Sequence, residues 1–277
     1  MRASLHISSP SNPTIKELVR LKERKGERAD HFFIVEGRRE IERAIKSGFK
    51  MTELYICPEL SEAASADWIF ETSAIKSIEV SKQVFAKIAT REGSDGLIGV
   101  FASRPWRLED ITDRASGDHF FLLVLENVEK PGNLGAMLRT ADAFGVHGVI
   151  LLGQSIDLWN ANVIRSSLGG VFSVPVLYLK NEDFLEFSSK QNIKLVAAAL
   201  KNDSVSLNES ELSGPMAMIF GSEAFGLSDA LLGRVHTKVV IPMQGVCDSL
   251  NVSVAAGIFA FEVSRQRLQG RKNKQNP

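Results

Sequence analysis

The stretch His119–Val128, HFFLLVLENV, constrains the fold more than any other part of this chain. A strand wetted on one face alternates apolar and polar residues, whereas a nearly continuous apolar run needs cover on both faces. Parallel sheets sandwiched between crossover helices provide that cover, so this run is expected to be a central strand of an α/β domain. The next segments repeat the pattern. A helix NLGAMLRTADAFG stops at Gly145, a residue suited to the left-handed turn that closes helices, and the strand GVILL follows. The spacing then predicts a helix near Trp159–Leu168, strand SVPVLYL, helix EDFLEFSSKQ, strands KLVAAAL and MAMIFG, a short helix SDALLG, strand KVVIP and a long last helix.

The first half reads as a smaller α/β layer. A charged helix over Thr14–Arg24 precedes strand HFFIVEG, helix RREIERAIKSG and strand MTELYIC. A helix around Ala63–Ser73, strand IKSIEV, helix SKQVFAKIAT and strand GLIGVFA complete it. Strands alternating with helices of this length favour layered sheets. Pro, Gly and charges without an apolar period mark a linker between the halves. The expected division is residues 1–103, a linker over 104–118, and 119–277, and a length of 277 residues suits two domains.

A composition of 44% hydrophobic and 24% charged residues is that of an ordinary globular protein, with disorder expected only at the ends. The N-terminus turns polar before an apolar signal segment forms, and no run reaches the length of a membrane span, so a cytoplasmic protein is expected. Cys57 and Cys247 are the only cysteines and form no CxxC pair, which argues against a disulfide framework or a zinc site. The net charge of zero hides a division: residues 1–50 carry a balance of +5 and residues 51–118 one of −5. The basic stretches KELVRLKERKGER and RQRLQGRKNKQ suit either phosphate contact or a solvated helix face.

Chemistry concentrates in three places. In ENVEKPGNLGAMLRTADAFG a strand ends at Glu126 and a helix begins near Asn133, with Arg139 six residues further on. Ligands bind open α/β sheets at such strand ends, yet neither a dinucleotide glycine motif nor a phosphate loop is present; Asn133 could equally cap the helix. In MAMIFGSEAFGLSDALL a strand runs into Gly221, Ser222 and Glu223, which suits either a ligand loop or a plain turn. In VVIPMQGVCDSLNVSVAAG, Cys247, Asp248, Ser249 and Asn251 crowd the start of an apolar helix. A nucleophile there needs an oriented base, and none of the five histidines falls in such a context. A helix cap and a pocket wall remain.

In this order and spacing, NVEKPGNLGAMLRTADAFG, IFGSEAFGLS and VVIPMQGVCDSLNVSVAAGIFAFEVSRQR resemble the SpoU/TrmH family of RNA 2'-O-ribose methyltransferases, within the SPOUT superfamily. The resemblance spans Phe120–Arg267. The segment SNPTIKELVRLKERKGERADHFFIVEGRREIERAI is similar to the ribosomal-protein-like RNA-binding domain that many members carry.

The resemblance implies a trefoil-knotted α/β methyltransferase domain behind a smaller α/β RNA-binding domain, acting as a homodimer without metal. It implies S-adenosylmethionine as cofactor, held largely by backbone at Gly221, Ile241 and Leu250, with Met243 lining the pocket. It places Asn133, Arg139, Glu223, Ser249 and Asn251 around the target ribose and its phosphate, with Glu223 orienting an arginine and Arg139 either accepting a proton or stabilising charge. Ribosomal RNA is the expected substrate; transfer RNA, a base-methylating branch and a non-catalytic RNA-binding module are the alternatives.

Overall fold

The computed structural model describes residues 5–25, 28–61, 75–91, 93–115, 120–153 and 156–275. The chain divides into two compact units, Met1–Pro105 with Leu158–Phe172, and Trp106–Asp157 with Ser173–Pro277.

The first unit is built on a mixed five-stranded sheet in the order β1-β4-β3-β5-β2, with β1 Leu5–Ile7, β2 Phe32–Glu36, β3 Met51–Ile56, β4 Lys76–Val80 and β5 Leu97–Ala102. Strands β1, β4 and β3 run parallel, while β5 pairs antiparallel with both β3 and β2. Helix α1, Pro13–Lys22, starts with proline at its first position, and the Asn12 side chain accepts the Thr14 N–H at 2.9 Å. Its Ile15, Leu18 and Leu21 recur at helical spacing and are fully buried, so its Lys and Arg side chains are left to the outer face. Helices α2, Arg28–His31, α3, Arg38–Lys46, and α4, Lys82–Ile88, complete this part. The helix expected around 63–73 lies outside the described residues.

Residues 158–172 join this unit through aromatic packing. Helices α7, Ala161–Ser167, and α8, Gly170–Ser173, carry Phe172 to the same cluster as Trp159. The Trp159 ring stacks on buried Phe33 with centroids 3.9 Å apart and planes 7° from parallel. Phe49 meets Trp159 edge-on at 5.4 Å and Phe172 at 5.6 Å.

The second unit has seven strands, all parallel, in the order β10-β12-β9-β11-β6-β7-β8. They are β6 Phe121–Glu126, β7 Gly148–Leu152, β8 Val176–Leu179, β9 Lys194–Ala198, β10 Val205–Ser206, β11 Met216–Phe220 and β12 Thr237–Val240. Every residue of β6, β7 and β11 is buried, as the unbroken apolar runs require. Helices α5 Leu108–Thr112, α6 Pro131–Ala143, α9 Asn181–Lys190, α10 Asp229–Leu232 and α11 Val252–Gln275 belong to this unit. Strands β1 and β10 and helix α5, which falls inside the stretch expected to be linker, carry little apolar periodicity and are not foreshadowed in the sequence.

Two histidines brace the amino ends of the sheet. His147 donates its backbone N–H to Phe121 O at 2.9 Å, and its Nδ1 accepts the Phe121 N–H at 3.0 Å. His236 forms the same pair with Leu195, at 2.9 and 3.0 Å. Each imidazole replaces a backbone acceptor that the neighbouring strand does not reach, and accepting at Nδ1 places the ring proton on Nε2. These roles account for two histidines that chemistry does not need.

Phe33→Ala should cost about 3–5 kcal/mol, the usual loss for a fully buried phenylalanine. Urea unfolding followed by circular dichroism measures this, and a loss below about 1 kcal/mol would mean that the stack on Trp159 collapses to refill the space.

Candidate active site

Because β6, β11 and β12 run parallel, their carboxyl ends open on one edge of the sheet, and each carries one of the sequence motifs. Beyond β6 the chain turns and α6 begins at Pro131, whose missing N–H is no loss in the first helical turn. Asn133 is therefore the third residue of the helix, and the cap position falls to Lys130, which makes no side-chain capping bond. The Asn133 amide is free for other work: its Nδ2 donates to Glu223 Oε1. Lys130 Nζ pairs with the other oxygen of the same carboxylate. Lys130, a residue that sequence reasoning passed over, thus takes the place expected for an arginine beside Glu223.

Asn251 joins this pair from the third motif. It precedes α11 and caps it, its Oδ1 accepting the Ser253 N–H at 2.9 Å and the Ser253 hydroxyl at 2.7 Å. With the oxygen so engaged, the amide nitrogen faces the cluster and donates to Asn133 Oδ1 at 3.2 Å, with Glu223 Oε1 at 3.5 Å. The cap and the pocket wall are the same residue.

The loop between β11 and α10 is held closed. Ser222 and Gly226 exchange backbone hydrogen bonds at 3.0 and 2.9 Å, and the Phe225 N–H donates to Ser222 Oγ at 3.0 Å. A Cβ at Gly221 would lie 2.1 Å from the carbonyl carbon of Gly226, so only glycine fits where the loop folds back. Its far end is fixed by Glu126, the last residue of β6 and only 4% exposed. The Glu126 carboxylate accepts the Ser228 N–H at 2.8 Å and the Ser228 hydroxyl at 2.6 Å. A glutamate at the end of an apolar strand gives no sequence signal of this role, since its partner is over a hundred residues away.

The third loop has the opposite character. From Pro242 to Leu250 every residue is exposed, and none of the backbone N–H or C=O groups bonds to another described residue. Met243, Val246 and Leu250 present apolar side chains there. Unpaired backbone donors and acceptors beside apolar side chains suit a purine, whose edge reads as donors and acceptors and whose faces are flat and apolar. Met243 and Leu250, within this loop, therefore fit an adenine-bearing cofactor, while Ile241 precedes the loop and Gly221 follows strand β11. Ser249 and Arg139 are exposed, and their side chains form no hydrogen bond or ion pair with the described residues. Six residues along a helix rotate Arg139 about 240° from Asn133, so within one chain it stands apart from the Asn133–Glu223–Asn251 cluster. Among the described residues no group of three or more His, Cys, Asp or Glu could hold a metal ion, and no helix is long and apolar enough to cross a membrane.

Fold and site together define a methyltransferase of the SpoU/TrmH kind, and the comparisons agree. Residues 121–261 match the model of the SpoU rRNA Methylase family, and residues 12–99 match the MRM3-like substrate binding domain. The chain belongs to the SpoU rRNA methylase family. It is 32% identical to an uncharacterized tRNA/rRNA methyltransferase of Synechocystis, covering 94% of each chain. It is 37% identical over 199 residues to the 23S rRNA (guanosine-2'-O-)-methyltransferase RlmB of Escherichia coli, covering 68% of this chain and 82% of that one. A crystal structure of an RNA 2'-O ribose methyltransferase superposes with a TM-score of 0.82 at 38% identity, covering 95% of this chain and 100% of the other. An AdoMet-bound rRNA methyltransferase from Sinorhizobium meliloti gives 0.82 at 29% identity, covering 94% and 97%.

The two duties of Asn251 are separable. Asn251→Ala should lower stability by about 1 kcal/mol through loss of the cap and also reduce methyl transfer. Asn251→Ser should keep the stability while losing the amide donor, and hence the transfer. Thermal unfolding and a methyl-transfer assay on both variants check this; equal stability losses would mean that the cap contributes nothing.

Proposed function

We propose that this chain transfers a methyl group from S-adenosylmethionine to a ribose 2'-hydroxyl of ribosomal RNA, as a homodimer. The carrying observation is that Asn133, Glu223 and Asn251, from three separate motifs, form one hydrogen-bonded cluster beside a loop of unpaired backbone. The Escherichia coli relative is a 23S rRNA (guanosine-2'-O-)-methyltransferase, which makes that RNA the first substrate to test.

When bound, S-adenosylmethionine supplies an electrophilic methyl carried on a positively charged sulfur. Backbone groups at Gly221, Ile241 and Leu250 would hold it, with Met243 lining the same pocket. Asn133, Glu223 and Asn251 orient the ribose, and Ser249 contacts the phosphate or holds the loop. Arg139 stabilises the alkoxide that develops at the 2'-oxygen and fixes the adjacent phosphate. A guanidinium serves poorly as a base, so the hydroxyl proton leaves to water or through that phosphate. Much of the acceleration then comes from alignment. The first unit, with the basic face of α1, holds the RNA, and the chain works in the cytoplasm.

The dimer reading rests on α11 and on Arg139. Val254, Ile258 and Phe261 follow at helical spacing on α11 and remain exposed, with Phe261 edge-on to Phe144 at the end of α6. An apolar stripe of this kind on a chain of ordinary composition calls for cover. A second copy seated there brings its own Arg139, which the single chain leaves away from the cluster. The trefoil knot belongs to the same reading: β12 lies beyond β9, yet α11 packs on α6, so the 241–251 connection passes the ends of β9 and β11.

Incubation with methyl-labelled S-adenosylmethionine and ribosomal RNA, followed by nuclease digestion, should give labelled 2'-O-methylnucleoside. Label on a base overturns the ribose assignment, transfer to transfer RNA alone shifts the substrate, and no transfer with tight RNA binding supports the non-catalytic module. Arg139→Ala should abolish transfer, at least a hundredfold, while calorimetry shows the cofactor still bound. Light scattering should give twice the chain mass, and Phe261→Glu should give the monomer without transfer; a wild-type monomer that transfers methyl groups would sink the dimer.

A further inference from the structure

The loop that carries Glu223 also carries Phe225, whose side chain is 91% exposed. Apart from Phe261, no other described phenylalanine is exposed to a comparable degree, and Phe261 has Phe144 against it. Phe225 makes no ring contact with any described residue. The exposure does not come from a loose loop. The backbone pair of Ser222 and Gly226 closes the turn, the Phe225 N–H is tied to Ser222 Oγ, and Ser228 is anchored on buried Glu126. A turn closed in this way cannot fold its tip back onto the sheet, so the ring is held in water against the hydrophobic effect.

The position of the ring limits what it meets. Phe225 follows Glu223 by two residues, with only Ala224 between them, a span of at most about 7 Å of chain. The ring is therefore carried on the same short, closed turn as the cluster's carboxylate, where the proposed function sets the ribose. Lys130 and Glu223 neutralise each other there, so the cluster presents no net charge to compete with an apolar contact. Every ribose carries a base, and the face of a base is the flat, apolar, polarisable surface that an exposed phenylalanine stacks on whatever its sequence.

We infer that Phe225 is a stacking platform for an unpaired nucleobase next to the methylated ribose, and that it helps select single-stranded RNA. This rests on the ribose-methylation reading, and the tests separate the two. The removal of one such stack corresponds to a loss of about 5- to 150-fold in affinity. In steady-state transfer to a 23S ribosomal RNA transcript, Phe225→Ala should therefore raise KM by that factor. Phe225→Trp should restore it, and Phe225→Leu, which keeps apolar area but has no π face, should restore it only partly. A short single-stranded RNA containing 2-aminopurine reads stacking without catalysis: wild-type protein should quench its fluorescence, and the alanine variant should not.

Equal quenching by wild-type and alanine proteins, or full rescue by leucine, overturns the inference. So does a weaker S-adenosylmethionine affinity or an altered mass in the alanine variant with RNA binding unchanged, since the ring would then face the cofactor or a second copy. A wild-type enzyme that quenches the probe but transfers no methyl group to RNA refutes the ribose-methylation reading and leaves the stack standing. Folding is not at risk in these variants, because the residue is 91% exposed and its ring stacks on no described ring, and an unchanged melting temperature verifies that.

Discussion

The parallel pairing of β6 with β11 is the constraint on which the candidate site depends. Met216–Phe220 lie in register with Phe121–Leu125, and all ten residues are buried. Two strands covered on both faces cannot slip by one residue without turning apolar side chains onto the wrong layer. Their common direction also means that they end together. Glu126 finishes one strand and Gly221 follows the other, and the bond from Glu126 to Ser228 closes the gap between the motifs that each strand delivers. A buried carboxylate costs free energy unless its oxygens find donors. Ser228 supplies two, so the burial that the sheet imposes becomes the latch that fixes the Glu223 loop.

The loops around this edge divide by where their backbone bonds go. The 221–228 loop satisfies itself and is rigid, and the glycine at 221 is the condition for its closure, because no side chain fits against Gly226. The 242–250 loop leaves its backbone groups to solvent or to a ligand. A site that recognises a small molecule by main-chain groups needs such unpaired groups, and one that aligns a reacting sugar needs side chains that do not move. The two requirements fall on different loops, which allows both to be met.

Much of this was legible in the linear chain, and the rest was hidden for physical reasons. Unbroken apolar runs announced β6, β7 and β11, since burial on both faces leaves no polar positions to blur the signal. The boundaries of α6 were less clear: a polar Asn133 looks like a cap, but Pro131 starts the helix earlier and leaves the asparagine inside it. Strands β1 and β10 are too short to show a period. Lys130 and Glu126 act through partners 93 and 102 residues away, a separation that no local pattern encodes. Nothing in the sequence near Trp159 reveals that its ring stacks on Phe33, because a tryptophan in an α/β crossover has many possible neighbours.

The choice of residue types in the cluster follows from hydrogen-bond direction. The Ser253 hydroxyl donates to Asn251 Oδ1, Asn251 Nδ2 to Asn133 Oδ1, and Asn133 Nδ2 to Glu223 Oε1. Each asparagine accepts at one end and donates at the other, which an aspartate, having only acceptors when ionised, cannot do. A carboxylate is needed only at the terminus, where donors from Asn133, Asn251 and Lys130 converge, and Lys130 balances its charge. Aspartate at 133 or 251 would break the relay and add a second negative charge to the cluster. The amides thus do more than orient one another: they let the motifs join through a chain of polar contacts that remains neutral overall, which under the proposed function spares an anionic RNA backbone the repulsion of a bare carboxylate.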